Sequence, residues 1–436
     1  MEIKPFKAFR FDRSVVGDAG DCISPPYDVI DADIQAKLYE KNKYNVVRII
    51  KGKTFSGDTA ENNQYTRALE FLNTLIETGA LKFCPHEAIY AYIQDFSIGS
   101  QNFRRSSVIA LGKLEEFGSG VRPHEKTLDA PKADRLKLMR IKGAQLGQIF
   151  MLYDDPERVA CGIMDKTAAK PALIDFTDDD GVRHKLFVIE DSGAIQAIVK
   201  MMADKMMIIA DGHHRYESSL SYYKETQNPA AAYRMMTFVN MRNGGLVIFP
   251  IHRLISRVPG FDIAKLIEQM KGIFDVTEYK FTVIDDKSVA KQGMFNFMKS
   301  CFEQGRNSFG IYAGQDVFYV AILKDSNTMA LAEPHISAAA RGLDVNILHK
   351  LILEKVLGIG AEQSASQSNI EYIKDTGDGI NKSIDKVDAG RSQVAFFMNA
   401  TRIEQVKAVA AAGEKMPQKS TFFYPKIYTG LVINKL

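Results

Sequence analysis

The fold turns on one stretch, Met206-Met207-Ile208-Ile209-Ala210-Asp211-Gly212-His213-His214-Arg215-Tyr216-Glu217. Its first five residues are apolar and read as a short buried strand. Asp211-Gly212 marks a turn, and Tyr216 to Lys224 has helical texture. A strand that turns at glycine into a helix exposes backbone N–H groups at the helix N-terminus, which favour anions. Gly212 lets the backbone approach a ligand closely. Arg215 offers a planar donor fork suited to phosphate oxygens, and His213 and His214 add donors or a group that titrates near neutrality. Asp211 suits Mg²⁺, or a proton from an attacking hydroxyl. Asp-Gly is also a hairpin signal, so the alternative is a plain hairpin with solvated histidines. Adjacent histidines on a turn diverge, so no His-His metal site is expected.

Outward from this stretch, strands are expected over Ala88–Phe96, Phe103–Leu114, Ile149–Tyr153, Leu186–Glu190 and Ala231–Asn240. Tyr44 to Ile50 is apolar and β-branched and reads as a further strand. Helices are expected over Asp31–Asn42, Asn62–Thr78, Asp134–Lys142 and Ser192–Ala203, the last with Ile195, Ile198, Val199 and Met202 on one face. Ser24-Pro25-Pro26-Tyr27-Asp28-Val29-Ile30 is a fixed turn, because paired prolines forbid helix and central strand. After Pro259 the spacing predicts a hairpin of Ser308–Tyr312 and Val317–Leu323 and one amphipathic helix over Val345–Val356. The mixture argues for an α+β (mixed α/β) fold. A soft boundary near 258 divides a core, 1–258, from a C-terminal α/β region, 259–436.

Across 436 residues, 56 Lys and Arg face 53 Asp and Glu, a net charge of +3. That balance excludes a histone-like protein whose affinity rests on phosphate neutralisation, and DNA is not the expected partner. No apolar run approaches the roughly 20 residues a membrane span needs, and the N-terminal residues lack an apolar signal core. The four cysteines, at 22, 84, 161 and 301, form no C-x-x-C pair. A cytoplasmic location, without a membrane, is the expectation, and the oligomeric state is open. G-x-x-x-x-G-K-[ST], H-E-x-x-H and G-x-S-x-G are all absent.

Two further stretches carry chemistry. Arg122-Pro123-His124-Glu125-Lys126-Thr127 precedes a basic helix holding Arg135, Lys137, Arg140 and Lys142. It reads either as a catalytic loop or as a solvated loop before an amphipathic helix. Met416-Pro417-Gln418-Lys419-Ser420-Thr421-Phe422-Phe423-Tyr424-Pro425-Lys426 alternates cations and hydroxyls with aromatics. The aromatics fit a packed edge strand, while Lys419, Ser420, Thr421 and Lys426 could line a phosphate-containing pocket.

These residues together resemble the domain of unknown function 1015 family. The matching segments are Pro25–Ile30, Arg122–Thr127, Pro131–Leu136, Ala210–Tyr216 and Met416–Thr421, in order along the chain. More distantly, Asp211-Gly212-His213-His214-Arg215 resembles the phosphate-binding turn of the ParB/sulfiredoxin superfamily, and some family members carry a ParB/SpoOJ-type label. ParB proteins use that turn for CTP, sulfiredoxin for ATP and free serine kinases for ADP. The resemblance implies a ParB/sulfiredoxin-like element within a larger mixed-sheet core. The serine kinases pair the turn with a His-Glu whose Glu activates the serine hydroxyl, which His124-Glu125 would match.

The resemblance and the residues imply a nucleotide- or phosphate-binding enzyme of phosphoryl transfer or hydrolysis, with serine or phosphoserine as a candidate substrate. Glu125, Asp211 and His124 would be catalytic. Gly212, His213, His214, Arg215, Lys126, Arg135, Lys419, Ser420 and Thr421 would hold phosphate or nucleotide, with Mg²⁺ and ATP or ADP as cofactors. The alternatives are a ParB/SpoOJ-like nucleotide-binding module acting on DNA and a non-catalytic regulator.

Overall fold

Met207, Ile208 and Ile209 are fully buried, and burying each side chain contributes about 1.5–3 kcal/mol before chain entropy is counted. They form the strand Met207–Asp211 within a nine-stranded mixed sheet. Its order is Val121–Pro123, Met207–Asp211, Ile149–Tyr153, Tyr233–Asn240, Gln101–Lys113, Ile89–Ile98, Arg183–Ile189 and Ile174–Thr177, with Ile3–Lys4 paired to Gln101–Lys113 off this path. Met207–Asp211 runs parallel to Val121–Pro123, and Tyr233–Asn240 runs parallel to Ile149–Tyr153. The remaining pairings are antiparallel. One apolar core gathers Ile89, Val108, Ile149, Met151, Met207, Ile209, Met236 and Phe238. It is closed by Ala160, Ile198 and Tyr216 from the helices Val159–Thr167, Ser192–Met202 and His213–Thr226.

The computed structural model describes residues 1–125, 127, 129–360, 363 and 368–436. They form two units, and the sheet above belongs to the first, made of residues 1–123, 127–247 and 425–436. The second comprises residues 124–125 and 248–424. Its six-stranded sheet is antiparallel throughout, in the order Phe274–Lys280, Val317–Leu323, Ser308–Tyr312, Val394–Phe397, Ile251–Ile255 and Ile370–Lys374. The fold class is therefore mixed α/β, as the sequence implies. Among the described residues no helix is long and apolar enough to cross a membrane.

The hairpin alternative for Asp211-Gly212 is excluded, because His213–Thr226 is a helix from its first histidine. Two readings need correction. Tyr44–Ile50 is not a strand: its end is a helical turn, Val47–Ile50. The cause is Asn45, fully buried, whose amide donates to the carbonyls of Asp21 and Ile23 while its oxygen accepts from the Val47 N–H. A side chain that satisfies neighbouring backbone in this way competes with a strand ladder. Val345–Val356 is not one α-helix either: Asp344–Ile347 is α-helical, and Leu348–Glu354 widens to a π-helix.

Candidate functional site

In the first unit the register between Met207–Asp211 and Ile149–Tyr153 slips between Ile209 and Asp211. A bulge of this kind re-aims the side chain beyond it. The Asp211 carboxylate accepts from Arg215 Nη2 at 2.8 Å and Lys426 Nζ at 3.2 Å. Burial pushes its pKa up, but the charges of Lys426 and Arg215 outweigh burial and hold the carboxyl well below its ordinary range. Asp211 is thus an ionised anchor between two cations.

Gly212 caps the helix with φ +94°, a conformation that favours glycine, and a Cβ there would lie 3.1 Å from the Arg215 guanidinium. The turn therefore needs glycine for backbone shape and for room. Arg215 is buried and also donates to the Gln148 carbonyl. His213 is buried and His214 half-buried. Burial lowers the His214 pKa, opposed by the carboxylates of Glu217 and Asp28.

The helix Asp129–Lys142 packs on His213–Thr226, with Ser218 Oγ donating to the Lys132 carbonyl at 2.9 Å and Arg140 paired to Glu225 at 2.7 Å. Arg135 Nε donates to Asp134 at 2.7 Å, its Nη1 donates to the Ile50 carbonyl at 2.9 Å, and its guanidinium lies 4.0 Å over the Tyr27 ring. Arg135 and Arg215, picked from distant segments, thereby line one recess of about 40 Å³ together with Tyr27, Lys142, Ser218 and Arg234. An open cleft of about 660 Å³ shares Tyr27 and Arg135 with it. None of the described residues lining the recess is a carboxylate.

Lys142 and Arg234 were not singled out as site residues. Lys142 was read as part of a basic surface helix and Arg234 as part of a strand. The available signal was a charge inside the run Tyr233-Arg234-Met235-Met236-Thr237-Phe238-Val239, since a buried charge needs a partner.

The second unit holds the remaining candidates. His124 is fully buried and shares a hydrogen bond of 2.9 Å between Nε2 and Thr421 Oγ1. Its carbonyl accepts from the Met416 N–H at 2.7 Å. Glu125 Oε1 accepts from the Lys419 N–H at 3.1 Å, and the Lys419 carbonyl accepts from Arg253 Nη2 at 2.9 Å. Lys419 itself is exposed, with φ +59°. Ser420 is buried, and its Oγ donates to the Pro417 carbonyl at 2.6 Å. The His-Glu pair and the Lys419-Ser420-Thr421 segment thus form one cluster in this unit, while Asp211 to Arg215 and Arg135 belong to the first. Lys126 lies outside the described residues.

Among the described residues no three His, Cys, Asp or Glu side chains are grouped to hold a metal ion. Asp211, the residue suited to Mg²⁺ by sequence, is occupied by Lys426 and Arg215.

Comparison with the curated proteins returns no match. Among solved structures, a mutant free serine kinase in complex with AMP has 12% identity and a TM-score of 0.35, covering 72% of this chain and 89% of that one. A conserved hypothetical protein from Pyrococcus furiosus has 13% identity and a TM-score of 0.34, covering 72% and 92%. SbnI with a C-terminal truncation, from Staphylococcus aureus, has 10% identity and a TM-score of 0.34, covering 74% and 87%. The family model described as Protein of unknown function (DUF1015) matches residues 3–346, and the chain belongs to that family.

Proposed function

We propose that the first unit binds a small phosphorylated ligand or nucleotide, and that the chain acts on it by phosphoryl transfer or hydrolysis. One observation carries the binding: Arg135, Lys142, Arg215 and Arg234 line a single recess to which no described carboxylate contributes. Arg135 and Arg215 have Asp134 and Asp211 as partners, whereas Lys142 and Arg234 form no ion pair among the described residues. Such a surplus of buried positive charge is costly until an anion arrives. Phosphoryl transfer needs mainly positioning and charge stabilisation, which arginines and lysines supply.

A nucleotide would bring Mg²⁺ on its own phosphates, and that ion needs few protein ligands. Asp211 would then act through Arg215, fixing the guanidinium. Glu125 is the proposed base and serine the proposed acceptor hydroxyl, both carried from the sequence.

The test is a thermal-shift screen of ATP, ADP, AMP and phosphoserine with Mg²⁺, followed by turnover assays. A bound ligand at 100 times its Kd stabilises by about 2.7 kcal/mol. The Arg215→Ala variant is expected to abolish the shift. Glu125→Gln is expected to abolish turnover and keep the shift, since its amide oxygen can still accept from Lys419 N–H. No shift with any of these ligands would remove the binding reading. Binding with no turnover in the unmodified protein would favour the non-catalytic regulator.

A further inference from the structure

Arg234 is 3% exposed, and its Nε and Nη1 make no hydrogen bond among the described residues; only Nη2 is used, donating to the Gly147 carbonyl at 2.6 Å. Lys142 is 9% exposed and makes no hydrogen bond or ion pair among the described residues. Buried donors are nearly always paired, and an orphaned one costs about 1–3 kcal/mol, more when charged. Arg234, on a central strand, carries this cost at the recess, which Lys142, at a helix end, also lines without an ion pair among the described residues.

A water needs roughly 10–15 Å³, so a recess of about 40 Å³ takes about three oxygen-sized groups. That is the size of one phosphoryl group. The adjoining cleft of about 660 Å³, reached past the Tyr27–Arg135 stack, has room for a much larger body.

We propose that Lys142 and Arg234 form the floor of a seat for one tetrahedral dianion, the phosphoryl group of a phosphomonoester, with the body of the ligand in the cleft beside Tyr27 and Arg135. This deepens the functional reading and rests on it. Burial, and then the charges of Arg234 and Arg135, push the Lys142 pKa well below the ordinary lysine value. A dianion opposes those effects and favours the charged form of Nζ. The seat prefers a dianion to a monoanion because two unpaired cations face it, in addition to two arginines already neutralised by carboxylates.

The experiment is calorimetric titration of the full chain with sodium sulfate, inorganic phosphate and sodium nitrate, on the unmodified protein and on Lys142→Met and Arg234→Met. Sulfate and phosphate are expected to bind at one shared site and nitrate at least tenfold more weakly. Each Met variant is expected to weaken sulfate at least tenfold. Without ligand, each is expected to keep or raise the Tm, because a buried basic group without a partner carboxylate gives way to an apolar side chain. A residue needed only for folding would instead lower the Tm. Should a Met variant fail to fold, Arg234→Lys keeps a cation and is expected to retain sulfate binding within about tenfold of the unmodified protein.

Sulfate also reports the proton, since it does not titrate near neutrality. At a pH between the folded pKa of Lys142 and 10.5, its binding enthalpy should vary with the ionisation enthalpy of the buffer in the unmodified protein, and less so in Lys142→Met. Sulfate affinity unchanged in both Met variants would overturn the seat. If phosphoserine or AMP still gave an Arg215-dependent shift in that case, the functional reading would stand without it. If no phosphorylated compound bound, both would fall.

Discussion

Two buried arginines on neighbouring strands of one sheet have opposite surroundings. Arg105, on Gln101–Lys113, is fully buried; its Nε donates to Gln94 Oε1 at 3.1 Å and its Nη2 donates to Gln94 and to the Pro425 carbonyl. Its guanidinium lies 4.9 Å from the Phe150 ring centroid. Arg234, on Tyr233–Asn240, keeps one partner and leaves two nitrogens without any among the described residues. The same residue type at the same depth therefore does different work. Arg105 ties the returning C-terminal segment, residues 425–436, to two central strands of the sheet, while Arg234 holds unmet donors at a recess. Satisfaction of hydrogen bonds, more than burial, separates a structural charge from a binding one.

The comparison breaks if the two respond alike to the same change. Arg105→Met leaves the Gln94 oxygen and the Pro425 carbonyl without their donor, and is expected to cost about 3 kcal/mol. Arg234→Met strands only the Gly147 carbonyl while removing a buried charge, and should be at least as stable as the parent. Urea unfolding midpoints decide, given unchanged m-values. An equal loss in both variants would mean that the orphaned nitrogens of Arg234 say nothing about its role.

Lys142 sharpens the same contrast through pH. Its folded pKa lies below the value of 10.5 expected in the unfolded chain, because burial and then Arg234 and Arg135 disfavour the charge. Between those two values the unfolded state binds more protons, so stability rises with pH across that window. Below the folded pKa the lysine is charged in both states, and the penalty is constant. Unfolding free energy of the unmodified protein minus that of Lys142→Met should therefore climb with pH from the folded pKa toward 10.5. Saturating sulfate should flatten the climb. A difference independent of pH would mean that Lys142 ionises as a solvated lysine does.

Much of this is legible in the sequence itself. The strand at Met207–Asp211 is five residues with an apolar core bounded by a glycine turn, and local pattern decides such a segment. Arg215 stands out because it sits in the first turn of a helix rich in polar groups, and Arg135 because it belongs to a basic helix. Lys142 does not, because a lysine ending a basic helix is ordinary, and only tertiary packing makes it buried. Tyr27 was read as part of a proline turn, with nothing in the turn to announce the arginine stacked on it. The link between Glu125 and the Lys419 N–H spans 294 positions, and no local pattern encodes a pairing at that separation. Asn45 misled for a related reason: its β-branched neighbours suggest strand, and its own hydrogen bonds to Asp21 and Ile23 override them.

Gly212 tests whether the turn is shaped for Arg215. Gly212→Ala places a Cβ at φ +94° and 3.1 Å from the guanidinium. The backbone term alone costs about 1–2 kcal/mol, and the displaced arginine would loosen its hold on Asp211. The expected readout is a stability loss of about 1–2 kcal/mol, joined by weaker sulfate binding. A loss of stability with sulfate affinity intact would separate the turn from the recess.

The smallest effect concerns Lys419 in the second unit, whose left-handed backbone is held by its neighbours. Its N–H reaches Glu125 and its carbonyl accepts from Arg253, so both backbone groups are fixed at φ +59°. A non-glycine residue there carries roughly 1 kcal/mol of strain. Lys419→Gly relieves it and loses only part of that gain to the added freedom of the unfolded chain. Lys419→Ala keeps the strain and loses the same charge. The glycine variant should therefore be more stable than the alanine variant by about 0.5–1 kcal/mol. Since both lack the ammonium, any activity difference between them reports the turn and not the charge. Equal stability would show that the clamp of Glu125 and Arg253 does not hold position 419 in this conformation, and that a partnered backbone can still be a loose one.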